Sequence, residues 1–325
     1  MNKQMSLSAL SDELAQVRTM KKEFWAEMDR IVPWREWIAL IQPCYYKGER
    51  GNKPYDLERM LRIYLVQNLY NLSDMATVAE VIDSRAFSDF CGVESSDQVP
   101  DGDTLGRFRN LLIRNNLQKK LFAQVVKLLA QRGLILKQGT IVDSTFIESP
   151  SSTKNQKKQR DPEAHSAKKG NTWHFGYKAH IGADSKSGLV HTVKVTAANV
   201  HDVTVTSDLL TGEEEVVYGD SGYLGADKRP KAQKKNNAGK PVRYKLNRRP
   251  SASKNRYVRS KAQIKRREHE KSSVRAKVEH VFTVVKQQLW FCKNRYRGLR
   301  KQIAKLNMML ALGNLIQADR PCLAA

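Results

Sequence analysis

Three carboxylates in this chain stand where an acidic side chain needs a reason. Asp143 lies inside the β-branched run GTIVDSTFIES, where an ionised group is costly unless it is paired or ligates a metal. Asp220 ends a second strand-like run, EVVYGD, and in open α/β sheets the carboxyl ends of strands are where ligands bind. Glu279 sits in RAKVEHVFTVVK, beside a helical stripe of Val274, Val278, Val281, Phe282, Val285 and Leu289 that docks a helix onto a sheet. If the three converge, they repel: two like charges about 4 Å apart cost roughly 4 kcal/mol at an effective dielectric of 20. Divalent cations resolve the conflict. Mg2+ and Mn2+ prefer oxygen donors, and two of them about 3.5 to 4 Å apart clamp the attacking and leaving oxygens of a phosphodiester. Spacing alone does not establish such a triad, because a single strand Asp more often serves as a structural hydrogen-bonder.

The charge of the chain points to the substrate of such chemistry. The 325 residues carry a formal net charge of +24, nearly all of it after residue 130. From Lys228 to Lys277 there are 20 Lys and Arg against two acidic residues. A field of one sign confined to one region marks a polyanion partner, nucleic acid above all. A membrane surface would ask for bulky apolar residues opposite the lysines, and the basic stretches lack them. No apolar run approaches the roughly 20 residues of a membrane span, and the N-terminus lacks the order of a signal peptide, so a cytoplasmic location is expected. The four cysteines form no CxxC pair, which leaves reduced, inert thiols.

The elements that must position these residues fall into two parts. Residues 1–130 read as helical: DLERMLRIYLVQNLYNL places Leu57, Met60, Leu61, Tyr64, Leu65 and Leu69 at helical spacing, and DTLGRFRNLL opens with Asp103 as N-cap. Trp25, Trp34 and Trp37 are expected in the same core. After Gly133 the texture changes to strands. GTIVDSTFIES is followed by a polar, basic and mobile stretch, then by two strand-like runs around a turn at Asp184 to Gly188. A short helix-like stretch VTVTSDLL, the strand EVVYGD and a strand at KPVRYKL follow, and IAKLNMMLALGNLI closes the chain as a core helix. The expectation is an α/β catalytic domain over 131–325 with a basic insertion at about 228–272, behind a helical N-terminal domain.

The motifs GTIVDSTFIESPSSTKNQKKQRDPE, GNTWHFGYKAHIGADSKSGL, TAANVHD, YGDSGYLGA and RAKVEHVF, with GNKPYDLERMLRIYLVQNLYNLSD upstream, resemble those of the insertion-sequence-5 family of transposases, within the insertion-sequence-4 superfamily. The resemblance runs over nearly the whole chain. It implies a ribonuclease-H-like domain with a DDE triad of Asp143, Asp220 and Glu279 holding two Mg2+, or Mn2+, ions. It also implies cleavage at transposon ends and transfer of the 3′-hydroxyl into target DNA. The partners it implies are double-stranded DNA, as terminal inverted repeats and target, and further copies of the chain in a dimer or higher synaptic complex. The superfamily signature around the last acid is Tyr, two residues, Arg, three residues, Glu, six residues, Lys. Arg275, Glu279 and Lys286 fit it, while Ser272 stands at the Tyr position.

Arg275, Glu279 and Lys286, at i, i+4 and i+11, share one helix face, so cations flank the acid. Glu279 would hold metal while Arg275 and Lys286 hold phosphates, as a bidentate fork and a point charge. The alternative, an Arg275–Glu279 pair on a solvated face, is worth only about 0.3 to 0.5 kcal/mol. Within the basic region Arg248, Arg249, Arg266 and Arg267 are the further expected DNA contacts, joined by Lys178. Lys178, His201 and Asp202 recur in the resembled family and are expected to support the site. GDSG at 219–222 has the look of a serine-hydrolase loop, but Tyr223 follows and peptide hydrolysis has no use for the basic region. His174, His180, His191 and His201 match no zinc-ligand spacing and are expected to pack or hydrogen-bond. Trp173 and Tyr223 could stack on an unpaired base, though core packing is the expected role of each.

Overall fold

The structure, a computed structural model, describes residues 18–48, 53–156, 158–248, 261–285, 291 and 294–319. Among the described residues seven α-helices come first: α1 (Met20–Ile31), α2 (Trp34–Ile41), α3 (Leu57–Leu69), α4 (Asp74–Asp83), α5 (Arg85–Cys91), α6 (Gly102–Arg114) and α7 (Leu117–Gln131). Four of them start at a capping side chain: Thr19, Asp56, Ser73 and Asp101 each accept a backbone N–H of the first turn. For α6 the cap is Asp101, which accepts from Thr104 N at 2.6 Å, rather than Asp103. Asp103 falls inside the first turn, where a negative charge meets the positive end of the helix. The predicted stripe of α3 is buried throughout, and so are Ile63, Val66, Gln67 and Asn68, because neighbours cover this helix on more than one side. Trp25 and Trp37 are core residues, while Trp34 is partly buried under the Arg62 guanidinium at 4.2 Å.

Beyond Gly133 a six-stranded sheet forms from β1 (Gly139–Glu148), β2 (His165–Lys169), β3 (Thr172–Asp184), β4 (Val190–Ala197), β5 (Val216–Gly219) and β6 (Arg243–Leu246). The main order is β4-β3-β1-β5-β6, with β3 antiparallel to β1 and β4, and β5 and β6 parallel to β1. A helical N-terminal region followed by this mixed sheet is consistent with a ribonuclease-H-like domain. β2 pairs only with the first residues of β3, where β3 overhangs β1. It lies in the stretch expected to be mobile, and its sequence His-Ser-Ala-Lys-Lys has no apolar alternation to announce a strand. The helix-like stretch VTVTSDLL becomes two single 3-10 turns, Asp202–Thr204 and Thr206–Leu209.

Alternation along β1 splits the sheet into two faces. Ile141 and Ile147 join the large core, whereas Val142 joins a small cluster with Val203, Val205, Leu209, Val217, Tyr223 and Leu246. Two helices cover the first face: α8 (Lys261–Thr283), which carries Val278 and Val281 inward, and α9 (Leu299–Ala318). The rest of the α8 stripe, at Leu289, lies outside the described residues. α9 is buried nearly all round, as a helix must be when it runs through a core. It packs most extensively on α7 and next on β4, so one continuous core joins the bundle to the sheet. Asn314 binds β4 both ways, accepting from Val190 N at 2.9 Å and donating to Val190 O at 2.7 Å. Lys305, wholly buried on the same helix, donates to Asn68 O at 3.0 Å, and burial brings its pKa down to about 7.

Candidate active site

The register of β1 against β5 creates the site. Ile141 lies opposite Tyr218 in this parallel pair, so two residues further along Asp143 comes level with Asp220, just past the end of β5. The same count across β5 and β6, from Gly219 opposite Leu246, brings Asn247 into the row. By alternation all three face the side covered by α8. Asp220 caps the 3-10 turn Ser221–Tyr223 by accepting Gly222 N at 2.8 Å, which fixes its Oδ1.

α8 closes over this row through polar contacts. The Asn247 side-chain amide donates to Glu268 Oε2 at 3.1 Å and to Ser272 Oγ at 3.2 Å, and its Oδ1 accepts from Arg275 Nη1 at 3.3 Å. Arg275 Nη2 then stands 3.9 Å from Asp143 Oδ2, with both side chains largely buried. Ser272, at the position of the signature Tyr, serves as an anchor for the helix. Glu279 lies one turn beyond Arg275 and is exposed.

Burial pushes the Asp143 carboxyl up to about 6, against the pull of Ser144 N–H at 2.8 Å and of the Arg275 charge, with Asp220 adding repulsion. Negative charge is under-compensated here. That suits a hard divalent cation with carboxylate donors, and Asp143 and Asp220 fit it in type and placement. The triad is not closed, however: among the described residues no group of three His, Cys, Asp or Glu side chains stands close enough to hold a metal ion.

The opposite face of the sheet carries a buried polar cluster. Lys178 Nζ donates to Asp202 Oδ1 and Val200 O, both at 3.0 Å, and lies 5.2 Å from the Phe146 ring. This expected DNA contact is therefore taken up inside the protein. His180 is fully buried, bonds Thr196 Oγ1 at 2.8 Å, and stands 3.7 Å from Asp202; burial holds its pKa down to about 4. Tyr223 is in the core as expected, its hydroxyl pushed well up by burial and by the charges of Asp143 and Asp202. His191 bonds Thr140 and His174 bonds Glu148, so each histidine named here has a structural partner and none forms a cage.

Of the other expected DNA contacts, Arg248 and Arg267 are exposed, and Arg266 is exposed but pairs with Glu270 at 3.3 Å. Arg249 and Lys286 lie outside the described residues. Sequence reasoning missed Asn247, whose role arises only because β6 stands beside β5. The strand KPVRYKL, ending one residue before it, was the available signal. Trp173, expected in the core, is 67% exposed.

A family model described as the transposase DDE domain matches residues 134–315, and a second, described as a transposase domain, matches residues 12–111. No solved structure matches the chain.

Proposed function

The chain belongs to the transposase DDE-domain family, and on that premise we propose how its residues carry out the reaction. Its activity is that of an insertion-sequence transposase, a nuclease and transferase that binds and recombines DNA. In this reading Asp143, Asp220 and Glu279 are the catalytic acids and hold two Mg2+ ions, with Mn2+ an alternative. Held by these acids, divalent ions would supply Lewis-acid activation of the attacking oxygen, water in cleavage and the freed 3′-hydroxyl in strand transfer, and charge stabilisation of the leaving one. Asp220 is oriented for its role by its own turn, Asn247 and Ser272 hold α8 against the sheet end, and Glu279, exposed one turn beyond Arg275, would join the two aspartates only on metal binding. Arg275, already beside Asp143, serves as a phosphate ligand, and Lys286, Arg248, Arg249, Arg266 and Arg267 continue the cationic track along double-stranded DNA.

The observation that carries this reading is the parallel register that sets two carboxylates level beneath the most basic of the described helices. Terminal inverted repeats and target DNA are the substrates, and joining two ends calls for at least a homodimer. With 6 to 10 phosphate contacts, affinity would fall about 10³- to 10⁵-fold between 50 and 200 mM salt. No described helix is long and apolar enough to cross a membrane. The test incubates labelled element ends and Mg2+ with the wild type and with Asp143→Ala, Asp220→Ala and Glu279→Ala. Each variant is expected to lose cleavage and joining; full-rate cleavage by any of them removes that residue from the assignment.

A further inference from the structure

Helix α4 is apolar on the side that faces water. Of the seven large apolar side chains exposed among the described residues, two lie on this ten-residue helix: Met75, at 73%, and Ile82, at 45%. They are seven residues apart, and at about 3.6 residues per turn they share one stripe with Ala79, which is also exposed. Val78 borders the stripe and leans back onto the core, while Thr77 and Val81 face inward. A helix that is apolar on both its inner and its outer side has the pattern of a covered element, yet the outer side of α4 is left in water.

The surroundings of the stripe decide what fits it. The charges of α4 are Asp74, Glu80 and Asp83, with no Lys or Arg, so the helix repels DNA and an anionic membrane alike. That leaves a protein surface. The two ends of the stripe differ in sign. Met75 lies over Gly102, where an added Cβ would meet its Sδ at 2.8 Å, and Asp101 and Asp103 stand exposed on either side of that glycine. At the other end Ile82 lies two residues before Ser84, whose Oγ accepts from Lys21 Nζ at 3.2 Å. Arg85 follows, 3.5 Å from Asp89, which Lys22 also approaches to 3.5 Å. Lys21, Lys22 and Arg85 thus outnumber Asp83 and Asp89 at this end.

Turned antiparallel about a two-fold axis between Val78 and Ala79, two such helices set Met75 of each against Ile82 of the other. The acidic end of each then meets the basic end of its mate, and Ala79 at the axis has no bulk to hold the backbones apart. The stripe supplies an apolar centre and the charged ends a rim, the usual division of a protein interface. Charge elsewhere favours the same meeting place. Residues 1–130 hold 18 Lys and Arg against 17 Asp and Glu, so the bundle is where two copies of a +24 chain approach with least repulsion. We propose that the outer face of α4 is the contact through which two copies of this chain associate, by antiparallel pairing around Ala79. The proposal rests on the transposase reading for its purpose, the holding of two DNA ends by two active sites.

The test follows association of the full chain by sedimentation over a dilution series, without DNA or divalent metal. The wild type is expected to be dimeric. Met75→Glu or Ile82→Glu should raise the dimer dissociation constant at least about 100-fold, because each substitution enters the contact twice. Met75→Lys and Ile82→Glu combined in one chain should restore association, since opposite charges then face each other on both sides of the axis. Ala79→Cys should give a disulfide-linked dimer with copper phenanthroline that the wild type does not give. Binding of a single labelled element end should be unchanged in these variants. A monomeric wild type, unaltered association of Met75→Glu and Ile82→Glu, no rescue by the combined substitutions, or no cross-link through position 79 would each overturn the proposal. Loss of single-end binding with association intact would assign the face to DNA and overturn it too. The substituted side chains are exposed, and circular dichroism checks that the fold is kept. Cleavage by Asp143→Ala would sink the catalytic reading and leave the sedimentation result standing, so the two failures are distinct.

Discussion

Two partly buried arginine–aspartate pairs, one in the bundle and one at the sheet end, are built to opposite ends. In the bundle Arg109 grips Asp74 with both terminal nitrogens, the second at 2.9 Å, while Gln67 adds a 2.7 Å bond and the Tyr296 ring lies 5.1 Å from the guanidinium. That carboxylate has its partners. At the sheet end Arg275 approaches Asp143 only to 3.9 Å, and the carboxyl titrates near 6. Both arginines leave Nε unpaired, so the difference lies in the acids. A closed pair holds a fold together; an open one keeps oxygen lone pairs available to another cation, at a cost in stability.

The sharpest way to break the contrast is to remove the acids. Asp143→Asn or Asp220→Asn should lower the cleavage rate by at least about 10³-fold, or roughly 4 kcal/mol in the barrier, while the chain still folds; gel assays of labelled ends measure it. Asp74→Ala should do the reverse, costing about 1 to 3 kcal/mol in urea unfolding because Arg109 is left largely buried without its partner. Metal affinity, followed by Mn2+ titration, should not change in molecules that remain folded.

A subtler prediction concerns pH. Asp143 holds its proton more tightly in the folded protein, near 6, than in the unfolded chain, near 3.9. The stability it contributes is therefore full below about pH 4 and is lost as pH rises through 6. Asp143→Asn should thus melt higher than wild type at pH 7 without metal, by up to about 3 kcal/mol, and the gain should vanish near pH 4. Asp74→Asn should show no such gain. The smallest expected effect is that of Arg275→Gln, which should reduce the salt slope of DNA binding by about one phosphate contact. An unchanged slope would make Arg275 a counter-ion of Asp143 alone.

Much of this was legible from residue types. The β-branched runs around Asp143 and Asp220 became β1 and β5, and the valines at 274, 278 and 281 marked the face of α8 that turns inward. What escaped had no local signature. β2 has no apolar alternation and exists because β3 overhangs its neighbour. Trp173 carries the composition of a core residue and the position of a surface one, a contradiction visible only in three dimensions. Tertiary pairing likewise engaged Lys178 with Asp202, which no spacing could reveal. The helix-like VTVTSDLL is rich in β-branched residues and short, so it settles for two isolated turns. Nor did helical periodicity foretell that Glu279 would face solvent while Arg275, one turn earlier, reached Asp143.

The last helix binds the first part of the chain to the last, and this sets a schedule for synthesis. The helices up to Gln131 leave the ribosome well before Leu299–Ala318 exists to cover the face of α7. At about 5 to 20 residues per second the nascent bundle waits roughly 10 to 40 s with an apolar strip bare. A ribosome-bound fragment ending before Leu299 thus leaves that strip of the bundle open, and the shared core closes only once Leu299–Ala318 has been delivered.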